Sequence, residues 1–484
     1  MEDDPRDDAA ALALAVGRTR ISDPDRSADV LRGALADHRG DLTIADAAAK
    51  SGLPLRDAEL GLHRLLQVHR GHLSVTDRGE LLFRFSDGII KPFGGAMGVL
   101  RLLGRGALGL VRWTGRLALT LFILGYSLVA ALALLLGSLA LAILAEDGGP
   151  VEAAGYIVWA TFEMIGDALF WTFHPLRAPD ELDDTPHRQP RAFYQRVNGL
   201  FLGPPRRDHD PQAAARLLVA EIRARQGRIG LGDVVRVTGL LPDAAGPLVS
   251  RLLVDYDGHV DVTCDGAIVY SFPALRPSVG EHAPAAPPAI WRRERPLAMF
   301  TGNTGGTNAK ILALLSVVAA FGYFGMWLEL SAWFGAFPFY GSLLLVALIV
   351  LRIPMHIAGR RADRRENGRR AVLRLAHDGA CERQGVPTHA FAEAYHAAAD
   401  LHLVPSQLQK LLVDLGGDLV IADDGSTAWR FPTLELELGA LALVRARADA
   451  AEQTVGTVEF SSLPAPDEQP ERPALPQPAR TRRR

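Results

Sequence analysis

Two carboxylates in an apolar stretch carry the sharpest chemical signal in the chain. Glu163 and Asp167 stand four residues apart, on one helix face, near the middle of the hydrophobic block 151–173. Ionisable groups inside a membrane are costly and often mark proton or ion pathways. The plainer reading is a shallow or protein-buried helix whose acids meet water or partner side chains. It is preferred, because the other hydrophobic region holds no second acidic cluster. A basic set precedes the first hydrophobic run. On a helix, Arg101, Arg105, Arg112 and Arg116 fall within an arc of about 60°, opposite Leu100, Leu103, Leu110 and Val111. They suit an interfacial helix over 95–116 whose guanidinium groups reach anionic headgroups, or simply an anchor that orients the next span.

Other chemistries find less support. The run Gly302-Asn303-Thr304-Gly305-Gly306-Thr307-Asn308-Ala309-Lys310 resembles a phosphate loop only superficially. It lacks the Gly-Lys-Ser/Thr ending and a preceding strand, so a flexible lead-in to a span is expected. Cys264 and Cys381 are the two cysteines, too few for a disulfide framework or a multi-cysteine metal site. His389, His396 and His402 lie around an amphipathic helix without a partner cluster, and His72 and His259 recur at matching scaffold positions. No catalytic, cofactor-binding or metal-ligating residue is assigned, and no enzyme is expected.

The elements that carry these residues divide by composition. The 484 residues are 48% apolar yet 22% charged, with net charge -3 and mean hydropathy +0.10. Such a mixture implies separate hydrophobic and water-soluble blocks, and the near-neutral balance recruits no acidic partner globally. Residues 117–145 hold no charged side chain, more than the ~20 residues a span requires. With 151–173 they form a first hairpin, 117–174. Residues 311–328 and 341–351 form a second, over 310–356. Arginines flank both hairpins, whereas the connectors 146–150 and 329–340 lack Lys and Arg. The positive-inside rule then places both termini and the central region in the cytoplasm. The acidic start of the chain shows no signal-peptide pattern, in keeping with that orientation.

The soluble blocks repeat. Residues 40–85 align without a gap onto 227–272, with fourteen of 46 positions identical, among them Asp46/Asp233, Gly52/Gly239, Arg64/Arg251 and Gly79/Gly266. Residues 404–434 continue the pattern through Leu411, Leu412, Asp414, Gly417 and Phe431. Each copy reads as three helices and a hairpin turning at 77–79, 265–266 or 423–425. The first two copies have a tight Gly-Leu turn, at Gly52-Leu53 and Gly239-Leu240, and the third lacks it. This is the winged-helix plan. The fold class expected is mainly α with small β-hairpins, in which three winged-helix-like modules alternate with two transmembrane helical hairpins. The division runs 1–25 acidic segment, 26–90 first module, 95–116 interfacial helix, 117–174 hairpin, 175–210 linker and 211–275 second module. It continues as 276–309 Pro-rich linker, 310–356 hairpin, 357–436 third module with a basic lead-in helix, and 437–484 C-terminal helix with a disordered tail.

Three stretches carry a likeness: Gly71-His72-Leu73-Ser74-Val75, Gly266-Ala267-Ile268-Val269-Tyr270-Ser271-Phe272-Pro273, and Phe170-Trp171-Thr172-Phe173 before His174-Pro175. Through them, and through the order of its blocks, the chain resembles a membrane protein family of cyanobacteria and plastids with winged-helix-like repeats between transmembrane hairpins. The resemblance implies architecture, and a thylakoid-type membrane if it extends to location. Some plant members carry a name suggesting iron–sulfur cluster biogenesis, to which two unrelated cysteines lend no chemistry here.

Winged helices often bind DNA through their third helix. In the second module residues 243–256 offer Arg251 against Asp243 and Asp255, and in the third 404–415 offer Lys410 against Asp414. The first has Arg56, Arg64 and Arg70, interspersed with Asp57 and Glu59. Phosphate contacts supply most of the affinity for DNA, so nucleic acid is not the expected partner. The function expected is an integral scaffold or regulator of the inner (plasma) membrane, multi-pass, presenting cytoplasmic modules to protein partners and touching lipid. A membrane-tethered nucleic-acid-binding regulator and a small-ion transporter using Glu163 and Asp167 are the alternatives.

Overall fold

In the computed structural model the residues described are 23–36, 40–69, 71–85, 118–133, 135–136, 155–156, 158–166, 193–204, 212–276, 278–279, 285–421, 427–448 and 454–462. They belong to two compact units. One draws on 1–92, 209–295 and 364–484, and the other on 93–208 and 296–363. The chain is mainly helical, with small antiparallel sheets.

The first compact unit contains three modules with a similar order of elements. In the first, α1 (Pro24–Ala34) leads through β1 (Asp41–Leu42) to α2 (Ile44–Ser51), α3 (Leu55–Val68), β2 (His72–Thr76) and β3 (Leu81–Arg84). The Asp23 side chain and Pro24 start α1. Thr43 and Asp46 form a capping box on α2, which Gly52 ends at φ 75°. Buried Ala58, Leu62 and Leu65 give α3 one apolar face. The second module repeats the order with α7 (Ala213–Ala224), β4 (Arg228–Ile229), α8 (Leu231–Thr238), α9 (Pro242–Asp255), β5 (His259–Val262) and β6 (Ile268–Ser271). There Gly239 ends the short helix at φ 72°. In the third, β7 (Val386–Pro387), α12 (Thr388–Ala399), α13 (Pro405–Asp414), β8 (Asp418–Ile421) and β9 (Thr427–Arg430) follow a long helix. Asp400, at φ 51°, takes the left-handed position in the third module, which lacks the Gly-Leu pair, a conformation Asp tolerates better than most residues.

All three sheets place the last strand in the middle: β1-β3-β2, β4-β6-β5 and β7-β9-β8. The first and second modules share one apolar core, with Leu31, Leu62 and Phe83 joined to Val219, Leu252 and Phe272. Each such side chain contributes about 1.5–3 kcal/mol on burial. The third has a separate core around Leu373, Phe391, Leu412 and Phe431. Helices α8 and α9 are apolar but bend by 106° about Gly239, and they carry Asp233, Arg236, Asp243, Arg251 and Asp255. They pack into the shared core and are no membrane span.

Two expected boundaries move. Helix α14 (Pro432–Ala446) begins inside 357–436, and β10 (Val458–Ser461) lies within the region expected as helix and tail. β10 forms because β2 offers it a row of backbone partners, a signal that no local pattern contains. Residues 463–484 lie outside the described residues.

In the second compact unit, α4 (Ala118–Ala133), the helical segment 158–166 (α5) and α6 (Phe193–Phe201) accompany two longer helices. These are α10 (Gly305–Trp327) and α11 (Ala336–Glu382), of which residues 336–363 belong to this unit, with mean hydropathy 1.8 and 2.1 over their most apolar windows. Both are long and apolar enough to cross a membrane, and the chain is an integral membrane protein. The 47 residues of α11 run straight through Pro354 and past the expected end of the hairpin at 356. At ~1.5 Å per residue the helix is about 70 Å long, more than twice a hydrocarbon core. Gly322, Gly325 and Gly335 bring the two backbones close around the turn. Exposed Trp327, Trp333, Phe334 and Tyr340 ring that turn as an aromatic belt. Ile123, Leu124 and Ile165 pack with Ile311, Leu314 and Leu315, and Ser127 donates to the Leu314 carbonyl at 3.3 Å. The expected hairpin 117–174 falls only partly within the described residues.

Candidate functional site

The three sheets differ at one edge. In the first module β10 adds to β2 as an antiparallel fourth strand, matching Val458 to Thr76, Phe460 to Val75 and Ser461 to Ser74 across a bulge. The Leu73 N–H donates to Ser462 Oγ at 2.9 Å, and the Ser462 N–H returns to the Leu73 carbonyl at 2.9 Å. Thr457 Oγ1 donates to Asp77 at 2.9 Å, fixing the near end. The corresponding strands β5 and β8 have no such neighbour among the described residues. They are exposed along their whole length. Val260, Val262, Leu419 and Ile421 stand on them, with Ile421 74% exposed. Natural edge strands are usually blunted with Lys, Pro or short length. An exposed edge strand is a template along which another extended segment can pair.

The third helices present little positive charge. Arg64 pairs with Asp25 at 2.6 Å and Arg251 with Asp255 at 2.9 Å, so the repeated arginine serves its own module. Arg56 and Lys410 are exposed bases, and Arg70 lies outside the described residues.

Buried polar junctions hold the modules in place. Asp46, the capping-box residue of α2, accepts from Arg223 of α7 at 2.6 Å and from Ser278 Oγ at 2.9 Å. Burial pushes its carboxyl up, but Arg223 and Thr43 outweigh that and hold it below the usual range. Asp233, at the same place in α8, accepts the Gly230 N–H at 3.0 Å and pairs with Arg445 of α14 at 2.5 Å. Arg445 also donates to the Arg228 carbonyl at 2.8 Å. Glu437, one further carboxylate from α14, accepts the Gly232 N–H at 2.7 Å and so caps α8 from outside its module. A Cβ on Gly230 would collide with this carboxyl. Burial pushes Glu437 up to about 7; the Gly232 N–H opposes the shift and the Asp233 charge adds to it. Sequence reasoning missed Glu437 and Arg445. The available signal was Gly230 standing where the aligned copy has the capping residue Thr43.

The residues singled out from sequence spread apart. Glu163 lies on an exposed face of α5, alongside Trp159 and Phe162. Asp167, Arg101, Arg105, Arg112 and Arg116 lie outside the described residues. The glycine-rich run is an ordered helix start rather than a flexible lead-in. Thr304 caps α10, and Asn303 donates to the Arg196 carbonyl at 2.7 Å and to Asn308 at 3.1 Å. Amide and hydroxyl side chains saturate that backbone locally, which the glycine content concealed. His396 and His402 stack at 4.1 Å, and among the described residues no group of His, Cys, Asp and Glu is arranged to hold a metal. Arg352, beside this helix start, donates to the Leu200 and Phe300 carbonyls at 2.5 Å each and lies over the Phe300 ring. It fastens α6 to the end of the span. No family model, curated protein or solved structure matches the chain.

Proposed function

We propose that the chain is a membrane-anchored scaffold or regulator whose three modules are winged-helix-like repeats that bind proteins on the cytoplasmic side. The observation that carries this reading is the strand β10 on β2. One module already accepts an extended segment along its hairpin, and the other two present the matching edges β5 and β8 with exposed Val262 and Ile421. Main-chain pairing supplies affinity in such additions, and alternate side chains supply selectivity. The paired arginines Arg64 and Arg251 weigh against duplex DNA as the partner. The orientation rests on Lys310, Arg352, Arg360 and Arg361 at the open end of the second hairpin, whose turn has neither Lys nor Arg. Likeness to the cyanobacterial and plastid family belongs to the same reading.

A photo-crosslinking residue at Val262 or Ile421, in the full chain in its native membrane, tests the proposal. Protein adducts that disappear when Val260 or Leu419 becomes Lys support it. Nucleic-acid adducts, or DNA binding that weakens steeply with salt, would replace it with the tethered-regulator reading. Exposed Cys264 and Cys381 report orientation directly. An impermeant thiol reagent should reach both only after the cells are permeabilised, and labelling of either in intact cells would reverse the topology.

A further inference from the structure

Beside the Glu437 cap lies a cavity that the scaffold reading does not use. It sits within the first compact unit and encloses about 190 Å³. At ~30 Å³ per water this is room for about six waters or one two-ring molecule. Leu231, Val235, Leu373, Leu415, Phe431 and Leu434 form apolar walls. Three residues with polar side chains also line it: Glu437, His377 and Thr433. Trp291 closes one side, with its ring 5.2 Å from that of His377. Burial lowers the His377 pKa, so the imidazole is neutral and offers one donor and one acceptor. Beyond Trp291 a second hollow, lined by Arg292, Glu294, Arg374 and Asp378, provides a polar approach.

An apolar chamber with a few convergent polar groups is the usual form of a small-molecule site. The charges select the ligand. Arg445 is already committed to Asp233 and the Arg228 carbonyl, which leaves the Glu437 carboxyl as the acidic group on the wall. A ligand carboxylate would meet the Glu437 carboxyl in a poorly solvated space, whereas an ammonium would neutralise it. The aromatic and branched walls favour a flat ring. We propose that this cavity is a binding site for a small aromatic amine, its ring among Trp291, Leu373 and Phe431 and its ammonium at the Glu437 carboxyl. The site is independent of the sheet edges, so either proposal stands if the other fails.

Three probes that share one ring separate the contributions: tryptamine, indole and indole-3-propionate, titrated by calorimetry into the full chain in detergent above pH 7, where the Glu437 carboxyl is ionised. Tryptamine should bind about tenfold or more tighter than indole-3-propionate, the step that one buried charge contact makes, with indole between them. Ala376→Phe, which fills the chamber, should abolish all three. Glu437→Gln is isosteric and should keep indole binding while erasing the preference for the amine. It remains decisive if the bulkier variant fails to fold. Absence of binding by all three probes, binding undiminished in a folded Ala376→Phe protein, or an amine preference that survives Glu437→Gln would each overturn the assignment.

Discussion

Helices α2 and α8 begin at matching places in their modules and are capped in opposite ways. α2 is capped from within: Thr43 Oγ1 accepts the Asp46 N–H at 3.0 Å, and Asp46 accepts the Thr43 N–H at 3.2 Å. α8 keeps the Asp but has Gly230 in place of Thr. The Gly232 N–H is met instead by Glu437, 205 residues away in sequence. Gly230 has φ -110°, ordinary extended backbone, so the glycine is there for space and not for conformation. A repeated architecture can surrender a local cap when a distant helix supplies one. The exchange makes the start of α8 depend on α14, whereas the start of α2 does not.

The largest expected effect tests that dependence. Arg445→Ala would remove the close ion partner of the Asp233 carboxylate, whose side chain is 4% exposed, and leave it only the longer contact to Arg225 at 3.9 Å. Removing one member of a buried pair costs about 3–5 kcal/mol. Arg223→Ala should cost less, since Asp46 keeps Thr43, Ser278 and the Val279 N–H. Thermal unfolding of the two variants in detergent should therefore give a lower apparent Tm for Arg445→Ala. Equal or reversed shifts would mean that α14 contributes little to α8.

Glu437 makes the next effect depend on pH. Its folded pKa of about 7 lies above the ordinary 4.5, so the folded state holds a proton that the unfolded state has already released. Stability from this group is present below about 4.5 and is lost as pH rises to about 7. At ~1.4 kcal/mol per unit the loss is at most about 3.5 kcal/mol. Glu437→Gln cannot titrate. Its stability relative to the unaltered protein should rise between pH 4.5 and 7 and level off above. A difference that stays flat over that range would show that the carboxyl is solvated.

Local signals and distant ones divide what the sequence revealed. The short helix Ile44–Ser51 ends at the Gly52-Leu53 turn, Gly52 and Gly239 turn left-handed as the Gly-Leu pairs imply, and the hairpins turn at Gly79 and Gly266. These depend on capping, periodicity and turn chemistry within a few residues. β10 was invisible because a short Val-Glu-Phe-Ser strand becomes one only beside β2. The continuity of α11 was hidden by Pro354 and by the change from apolar to arginine-rich composition, which reads as a boundary although the backbone does not break. Glu437 was hidden most completely. Within Leu434-Glu435-Leu436-Glu437-Leu438 nothing separates it from Glu435, which pairs with Arg430 at 2.7 Å near the surface.

The smallest expected effect is the most specific. Thr43→Ala removes only a local cap and should cost about 1 kcal/mol, the usual loss when a Thr cap becomes Ala. Gly230→Thr restores the local cap in sequence, yet its Cβ would meet the Glu437 carboxyl, so alone it should destabilise the protein. Combined with Glu437→Ala, the introduced side chain has an orphan N–H to satisfy, and room once the end of the Leu441 side chain, the other close neighbour of Gly230, gives way. Asp233 already accepts the Gly230 N–H at 3.0 Å, so the new threonine and Asp233 would together reproduce the box of Thr43 and Asp46. The double variant should return to within about 1 kcal/mol of the unaltered protein, and its Tm should no longer vary with pH through Glu437. If the double variant instead shows the summed loss of the two single changes, the distant cap is not interchangeable with the local one. α14 would then hold α8 by packing, through Leu434 and Leu441 against Gly232 and Gly230, and not by its carboxylate.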